Sequence, residues 1–353
     1  MVLTVLSVAY PFEPVGPDAV GGAEQVLSAL DHALVEQGHR SIVLAREGSA
    51  TAGELIAVDP GAGPVTDGVR GRVWAHYRAV IRDIVRSRAV DIVHLHGIDL
   101  EEYLPEGIAT LATLHLPLDW YSPSLFRPRP NLWLHCVSEA QHATRPGGAD
   151  LLPPIPNGVA PELLATSCRK RAHAVMLSRI CPEKGVHIAL EACRLADVPL
   201  LIGGQVFPFE AHERYFRARV APRLDRRRRF LGPLGFDRKR RLLASARCVL
   251  VPSLVAETSS LTAIEALACG TPVIAYPNGA LPTIVDHGRT GFIVKNAREM
   301  AQAIAAAGTL DPALCKATAA ERFSRARMTG RYLDVYRQIA AERWRQPLLR
   351  ASA

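Results

Sequence analysis

Residues 249–279 read VLVPSLVAETSSLTAIEALACGTPVIAYPNG, and they decide the fold of the chain around them. The apolar, β-branched run at 249–251 predicts a buried parallel strand, and residues 273–276 predict a second one. Between the strands, a polar loop leads into a predicted helix at 261–269 that ends at Gly270 and Pro272. Such a strand–loop–helix–strand unit binds ligands at the carboxyl ends of its strands.

The loop of this unit carries residues suited to an anion lying between two carboxylates. Ser259 or Ser260 predicts an N-cap, and the first turn of a helix offers free N–H groups and a positive dipole end. Glu257 and Glu265 lie about 12 Å apart if the steps between them are helical. A nucleotide sugar has this layout, because its diphosphate joins two hydroxyl-rich sugars. The alternative is two solvated glutamates beside an ordinary strand-to-helix turn.

Length and composition predict a soluble α/β protein with two domains. The chain has 353 residues, which is more than one typical core contains. Alternating strand-like and helix-like segments favour helices packed on parallel sheets. We expect domains at 1–165 and 166–328 and a closing segment at 329–353, with a linker at 161–171. We also expect a Gly- and Pro-rich connection at 47–71 and a long basic helix at 207–224.

Several features argue against other classes of protein. The apolar start at 1–9 lacks a basic lead and predicts a strand rather than a signal peptide. No apolar run reaches the length of a membrane span. Seven scattered cysteines without a Cys-x-x-Cys pair argue against a disulfide framework and a structural zinc site. These patterns are typical of a cytoplasmic protein.

Arginine-rich segments at 226–229 and 238–241 contribute much of the net charge of +8. They interrupt regular strand and helix patterns and lack the interleaved aromatic residues that stack on bases. We therefore expect a solvated face rather than nucleic-acid binding. Attraction to an anionic membrane or an acidic polysaccharide is the alternative.

Glu257-x7-Glu265, followed by EALACGTPVIA, Gly279 and TGFIV, resembles the retaining GT-B glycosyltransferases of family 4, also called glycosyl transferases group 1. The resemblance extends over nearly the whole chain through GGAEQVLSAL (21–30), DIVHLHG (91–97), ATLH (112–115), VSE (137–139), IPNGV (155–159), LSRICPEKG (177–185) and FLGPL (230–234). It implies two Rossmann-like domains with doubly wound parallel sheets facing a cleft, and a C-terminal helix that crosses back to the first domain. It also implies retaining transfer of a hexose from a nucleoside diphosphate sugar to an acceptor hydroxyl.

The resemblance also implies a role for individual residues. Arg179 and Lys184, which one strand-to-helix loop carries, would neutralise the leaving diphosphate, although exposed charge is their alternative interpretation. Glu257 would orient the sugar, and His115 would reach the transferred sugar or the reacting centre. The expected donor-binding residues are Gly21, Gly22, Gly204, Gly232, Leu234, Ser259, Ser260, Leu261, Thr262 and Glu265. A Gly-Phe-Gly-like segment of the family is replaced here by residues 258–260, which makes the donor's identity less transferable.

The absence of an Asp-x-Asp-like motif predicts metal-independent activity without a cofactor, with the nucleotide sugar as co-substrate. We expect a carbohydrate or lipid-linked acceptor in bacterial polysaccharide, glycolipid or glycoconjugate synthesis, and peripheral association with the inner face of the membrane. Trp120 and Tyr121 are candidates for acceptor contact. His94 and His96 point the same way on a predicted strand, but no third metal ligand is recognisable. A nucleotide-sugar epimerase of the same fold and a noncatalytic anion or nucleic-acid binder are the alternative functions.

Overall fold

A computed structural model describes residues 2–17, 19–166 and 168–341, and the chain forms two parallel sheets of six strands each. The first sheet contains β1 (Thr4–Val8), β2 (Arg40–Arg46), β3 (Glu54–Val58), β4 (Ile92–Leu95), β5 (Thr110–Leu114) and β6 (Leu132–Cys136). The second contains β7 (Ala174–Leu177), β8 (Leu200–Gly203), β9 (Arg228–Phe230), β10 (Cys248–Val251), β11 (Val273–Ala275) and β12 (Gly291–Ile293).

The described part of the chain also contains twelve α-helices, which lie between these strands and after the last of them. They are α1 (Gly22–Glu36), α2 (Asp67–Ser87), α3 (Glu139–His142), α4 (Pro161–Leu164), α5 (Val186–Leu195), α6 (Glu210–Tyr215), α7 (Phe236–Ser245), α8 (Leu261–Ala268), α9 (Leu281–Ile284), α10 (Ala297–Ala306), α11 (Pro312–Phe323) and α12 (Arg325–Ala340). Strand alternating with helix is the pattern of an α/β fold.

Both sheets repeat one strand order. The first runs β3-β2-β1-β4-β5-β6 and the second β12-β11-β10-β7-β8-β9, with every pairing parallel. In each sheet the order reverses direction beside the first strand of the set, between β1 and β4 and between β7 and β10. This is the order of doubly wound nucleotide-binding sheets, in which the reversal opens a crevice at the strand ends.

The chain divides into two compact units, and the division falls after Pro156 rather than after residue 165. The reason is that α4, in the expected linker, packs against α8 and α11 of the second unit. The Val159 amide also donates to the Phe323 carbonyl oxygen at 2.9 Å. The second unit runs from Asn157 to Arg325, and the first contains the residues before it together with the described residues from Ala326 onward.

Two local expectations were wrong. Residues 47–71 contain β3 and the start of α2 rather than a connection only, because β3 is a half-exposed edge strand whose flanking glycines and prolines hide its pattern. The basic helix begins at Glu210 instead of 207, and it becomes a π-helix at Phe216–Val220 and a 3₁₀-helix at Ala221–Arg223. Pro222 lies in that last turn and removes an amide donor.

The closing helix α12 lies in the core of the first unit. Tyr332, Leu333 and Tyr336 are fully buried or nearly so, and they pack among residues of α1, β1 and β4. The Tyr336 hydroxyl lies 2.6 Å from His94 Nδ1, and His94 Nε2 lies 2.7 Å from the Thr113 hydroxyl. The return of α12 therefore depends on a buried polar contact as well as on apolar packing.

We predict that Tyr336→Phe lowers the free energy of unfolding by about 1–3 kcal/mol, because it leaves a buried nitrogen of His94 without its hydrogen-bond partner. Urea denaturation measures the change. Gln338→Ala, at an exposed position of the same helix, is the matched control and should change stability by less than about 0.5 kcal/mol. Equal stabilities of Tyr336→Phe and the original protein would contradict the role given to this contact.

Candidate functional site

In the second unit, the residues with the strongest chemical signal follow the two strands at the reversal of the sheet. Arg179 and Lys184 follow β7, and Glu257 follows β10. Because β7 and β10 are parallel neighbours, their carboxyl ends lie at the same edge of the sheet. Residues that are far apart in sequence are thus brought to one place by the strand order.

Lys184 and Glu257 form an ion pair at this edge. Lys184 Nζ donates to Glu257 Oε1 at 2.6 Å, and only 20% of the lysine side chain and 11% of the glutamate side chain are exposed. Gly185, the next residue, has a φ of +66°, and a β-carbon there would lie 2.2 Å from the Pro252 carbonyl oxygen. The loop after β7 therefore lies directly against the loop after β10, which places the lysine beside the glutamate.

The backbone of Glu257 is held by Gly279, the glycine that follows β11. Gly279 has a φ of +66°, and a β-carbon there would lie 2.2 Å from the Glu257 carbonyl oxygen. The Ala280 amide donates to that same oxygen at 2.8 Å. Only glycine fits this conformation and this approach, so Gly279 fixes the position of Glu257 without touching its carboxylate.

A second ion pair lies on the helix that follows Glu257. Glu265, on α8, accepts from Lys239 Nζ of α7 at 2.6 Å, and 8% and 17% of these two side chains are exposed. Sequence analysis did not select Lys239, which lies in an arginine-rich run expected to face solvent. The available signal was Glu265 itself, since an acidic side chain among Ile264, Ala266 and other buried residues needs a cationic partner.

The start of α8 lies between the two glutamates in sequence and keeps free amide donors. The Ser260 side chain accepts from the Ala263 amide at 3.4 Å, which makes it the N-cap. The amides of Leu261 and Thr262 form no hydrogen bond with a described residue, as is usual for the first positions of a helix. Ser259 precedes the cap and is half-buried. The amides of Leu261 and Thr262 therefore remain available to an anion.

Gly204, Gly232 and Leu234 lie at the ends of β8 and β9. Gly204 has a φ of +144°, and its amide donates to the Gly232 carbonyl oxygen at 2.9 Å. A β-carbon on Gly204 would lie 1.8 Å from the Ser178 carbonyl oxygen, so this position requires glycine. Leu234 packs over Gly203, and Arg179 is exposed without an ion pair to any described residue. The edge thus combines close backbone packing, an apolar side chain and a cation open to solvent.

The first unit carries the remaining predicted site residues. Gly21 is the N-cap of α1, and a β-carbon on it would lie 1.9 Å from Glu24 Oε2. The Glu24 carboxyl group therefore lies over Gly21 at the start of the helix. Burial raises the pKa of this carboxyl group. In the described conformation, an acidic side chain of the protein itself lies at the helix start that the resemblance assigns to the donor.

His115, after β5, belongs to a buried group of histidines. His115 Nε2 lies 3.0 Å from His96 Nδ1, and the two rings are stacked. Burial, followed by the nearby His135, lowers the pKa of His115 to about 3, and burial lowers the pKa of His135 to about 4. The rings are therefore neutral at pH 7. His96 contacts His115 in this group, whereas His94 Nδ1 and Nε2 lie against the hydroxyls of Tyr336 and Thr113.

The loop after His115 contains one candidate for acceptor contact and one structural residue. Trp120 is 53% exposed, which leaves its face available for stacking on a ligand. Tyr121 is buried, and its hydroxyl accepts from the Leu116 amide at 3.3 Å. The expectation that Tyr121 contacts the acceptor is thus wrong, since its ring and hydroxyl are used inside the unit.

The arginine-rich segments are partly paired rather than uniformly solvated. Arg227 contacts Asp197 Oδ1 at 2.5 Å, Arg228 contacts Asp225 at 3.1 Å, and Arg240 contacts Asp237 at 3.1 Å. Arg228 belongs to strand β9, and only 11% of its side chain is exposed.

In the described part of the chain, no helix is sufficiently long and apolar to span a bilayer.

Comparison with known proteins identifies the family. Residues 171–308 match the model described as glycosyl transferases group 1, and residues 20–144 match the model described as glycosyltransferase family 4. The chain belongs to the family 4 glycosyltransferases. The group 1 match contains both ion pairs and the start of α8, and the family 4 match contains Gly21, Gly22 and His115.

Relatives of known name are similar to this chain over different lengths. D-inositol 3-phosphate glycosyltransferase of Corynebacterium efficiens is 36% identical over 126 residues, which are 33% of this chain and 30% of that protein. The chain thus spans less than a third of the length of the curated relatives that it matches first. The protein of the same name from Pseudarthrobacter chlorophenolicus is 25% identical over 343 residues, and the match covers 80% of both chains.

Solved structures bear out the fold. Anabaena HepE in complex with UDP-glucose has a TM-score of 0.73 at 18% identity, and the match covers 94% of this chain and 99% of that one. The two Rossmann-like units therefore have the GT-B fold. At this identity the likeness concerns the fold alone.

We predict that acid destabilises the first unit of this protein. Histidines with lowered pKa values stabilise the folded state above their ordinary pKa of about 6.5, and this contribution is lost as the pH falls toward the folded values of about 4 for His135 and about 3 for His115. Each buried histidine contributes a slope of up to about 1.4 kcal/mol per pH unit. Urea denaturation between pH 7 and 5 measures this change in the free energy of unfolding. The fluorescence of Trp74, Trp120 and Trp133, which all lie in this unit, reports the unfolding.

His135→Gln should reduce this slope, whereas His76→Gln, at an exposed position of α2, should leave it unchanged. A free energy of unfolding that stays constant between pH 7 and 5 would show that the histidines are not kept neutral by the fold.

Proposed function

We propose that the protein transfers a hexosyl group from a nucleoside diphosphate sugar to an acceptor hydroxyl, with retention of configuration and without a metal or other cofactor. One observation carries the proposal: Lys184, Glu257 and the open amides of α8 meet where the strand order of the second sheet reverses. All of them lie in the segment that matches the group 1 family model. The complex of HepE with UDP-glucose supports a nucleotide sugar as donor.

The diphosphate is the group for which the cations and amides are suited. Its negative charge increases as the bond to the sugar breaks, so donors placed near it stabilise the transition state more than the ground state. Arg179 is exposed and has no ion pair with a described residue, which leaves its guanidinium available. Lys184 has three N–H donors and is bonded to one carboxylate oxygen, so it can hold Glu257 and a phosphate oxygen together.

The two glutamates serve the hydroxyl groups on either side of the diphosphate. Glu257 orients the transferred sugar, and Glu265 binds the ribose. Each carboxylate is paired with its own lysine, Lys184 or Lys239, and this holds both of them in place as acceptors of hydrogen bonds. Gly204 and Gly232 leave room for the nucleoside beside Leu234.

Retention is explained by substitution on one face of the sugar. The bond between the anomeric carbon and the phosphate oxygen breaks, a bond to the acceptor oxygen forms on the same face, and the acceptor proton passes to a phosphate oxygen. Retaining hydrolases use instead a nucleophile about 5 Å from an acid. Pairing of Glu257 and Glu265 with separate lysines favours a binding role for both over that arrangement.

The first unit is proposed to contribute to the sugar and the acceptor. His115 is neutral at pH 7 and suited to hydrogen bonding with a sugar hydroxyl. Gly21 and Gly22 would contact the donor once the Glu24 side chain moves away from Gly21. The names of the relatives make a polyol phosphate one acceptor to test, together with carbohydrate and lipid-linked acceptors. We propose a cytoplasmic protein that associates peripherally with the inner face of the membrane.

The donor and the stereochemistry can be tested together. A thermal-shift screen with UDP, GDP, ADP and dTDP sugars should identify the donor, because a ligand of the folded state raises the melting temperature. Nuclear magnetic resonance of the product should then show the donor's anomeric configuration. Glu257→Ala should reduce turnover at least about tenfold, or about 1.4 kcal/mol in the transition state. A product of inverted configuration would contradict retention, and unchanged turnover of Glu257→Ala would remove its role.

The cationic clamp can be tested by calorimetry with the nucleoside diphosphate of the donor that the screen identifies. Lys184→Ala should weaken its binding at least about tenfold, because a charge-assisted hydrogen bond to phosphate contributes about 1.5–3 kcal/mol. Lys239→Ala should weaken it as well, by freeing Glu265 from its fixed position. Lys295→Ala, an exposed lysine of the same unit, is the matched control. Unaltered affinity of Lys184→Ala would contradict the clamp.

A further inference from the structure

Three potential metal ligands lie together in the second unit, and the proposed transfer reaction uses none of them. The Cys181 thiol, the Glu183 carboxylate and one ring nitrogen of His212 place their ligand atoms within 4.8 Å of one another. Cys181 is buried, and Glu183 and His212 are half-buried. In the described part of the chain this is the one group of its kind.

The backbone holds two of these ligands in place. Cys181 precedes the 3₁₀-helix Pro182–Lys184, to which Glu183 belongs. The Glu183 carbonyl oxygen accepts from the Leu254 amide at 2.7 Å and from the Ser253 hydroxyl at 3.4 Å. These two hydrogen bonds fix the main chain of the turn against the loop after β10. They therefore also fix the place from which the thiol and the carboxylate project.

The third ligand comes from α6 and is held by aromatic side chains. The His212 ring packs edge-on against Phe209, with ring centroids 5.2 Å apart, and lies 6.5 Å from the Phe207 ring. Its Nδ1 atom is buried and has no hydrogen-bond partner among the described residues. A buried ring nitrogen without a partner is costly in a folded protein, and a metal ion is one group that satisfies it.

We propose that Cys181, Glu183 and His212 bind a single divalent cation of the zinc class. A thiolate, an imidazole nitrogen and a carboxylate oxygen together are the ligand types of zinc, whereas magnesium and calcium prefer oxygen ligands only. Three protein ligands leave one tetrahedral position for a water molecule. This site is independent of the donor chemistry proposed above, because its ligands include neither Lys184 nor Glu257.

Binding of the metal displaces the proton of the Cys181 thiol. In the described conformation, the Cys181 thiol donates a hydrogen bond to the Arg179 carbonyl oxygen, with Sγ 3.9 Å from that oxygen. The cation takes the place of the thiol proton, which passes to solvent, and it forms bonds to sulfur, oxygen and nitrogen. No electrons are transferred in this exchange.

A cation at this place would link α6 to the loop that carries Arg179 and Lys184. Cys181 and Glu183 lie between Arg179 and Lys184 in the sequence, so the metal would add a further tie to the main chain between these two side chains. It stabilises the folded state, because the unfolded chain does not hold the three ligands together. We therefore expect excess EDTA to lower the melting temperature of the zinc-loaded protein and to leave turnover in place.

Cobalt titration of the full chain tests the site, since a cobalt–thiolate bond gives a characteristic absorption band. We expect one Co²⁺ per chain with this band, and no band in Cys181→Ser. His212→Ala should weaken the affinity for Co²⁺ by about 100-fold or more. Loss of a direct metal ligand weakens binding more than loss of a residue that only hydrogen-bonds to a ligand. Cys168→Ser, a half-exposed cysteine outside the group, is the matched control and should keep the band.

Thermal unfolding with Zn²⁺ supplies a second readout. Zinc should raise the melting temperature of the original protein and of Cys168→Ser, and it should leave that of His212→Ala unchanged. His212→Ala alters a half-buried position, so it remains informative if Cys181→Ser does not fold. Absence of the thiolate band, its persistence in Cys181→Ser, or unchanged affinity in His212→Ala would each overturn the proposal.

Discussion

The ion pair between Lys184 and Glu257 is the interaction on which the candidate site of this protein depends. Both side chains are largely removed from water, so each needs the other to compensate for the loss of hydration. Such a pair adds little stability, and removal of one partner leaves a buried charge. The pair instead fixes the geometry of the site, because the carboxylate and the ammonium hold each other in place. The lysine also keeps N–H donors for a further anion. The pair of Lys239 and Glu265 repeats this arrangement beside α8.

Strand order explains why these residues meet. The two sheets have the same order, and in each of them two strands that are distant in sequence become neighbours at the reversal. Parallel pairing brings the loops after those strands to one edge, where helices begin and amide groups point outward. The same rule applies in the first unit, where His96 follows β4 and His115 follows β5, and their rings stack at the carboxyl ends of those strands. The two units share a topology and differ in chemistry, since one edge is charged and the other is lined by neutral histidines.

Much of the fold and part of the site were readable from local patterns. Helix α8 begins at the predicted position, Leu261, and Ser260 is its N-cap. Periodicity, capping residues and glycines act over a few residues, so a sequence reports them directly. Strand β3 and the pairing of Lys239 were missed for the opposite reason. An edge strand has a weak pattern, and a lysine among arginines shows its partner only once α7 packs beside α8.

The sequence by itself determined the α/β class, the family and the residue types of the site, because these follow from short-range patterns and from motifs in order along the chain. Only the tertiary structure decided which charges meet, that Tyr121 is enclosed, that Glu24 covers the start of α1, and that Cys181 and Glu183 lie beside His212. The physical reason is that contacts between side chains depend on distances across strands and helices far apart in sequence. Those distances are set by packing and strand order, and local sequence patterns report neither of them.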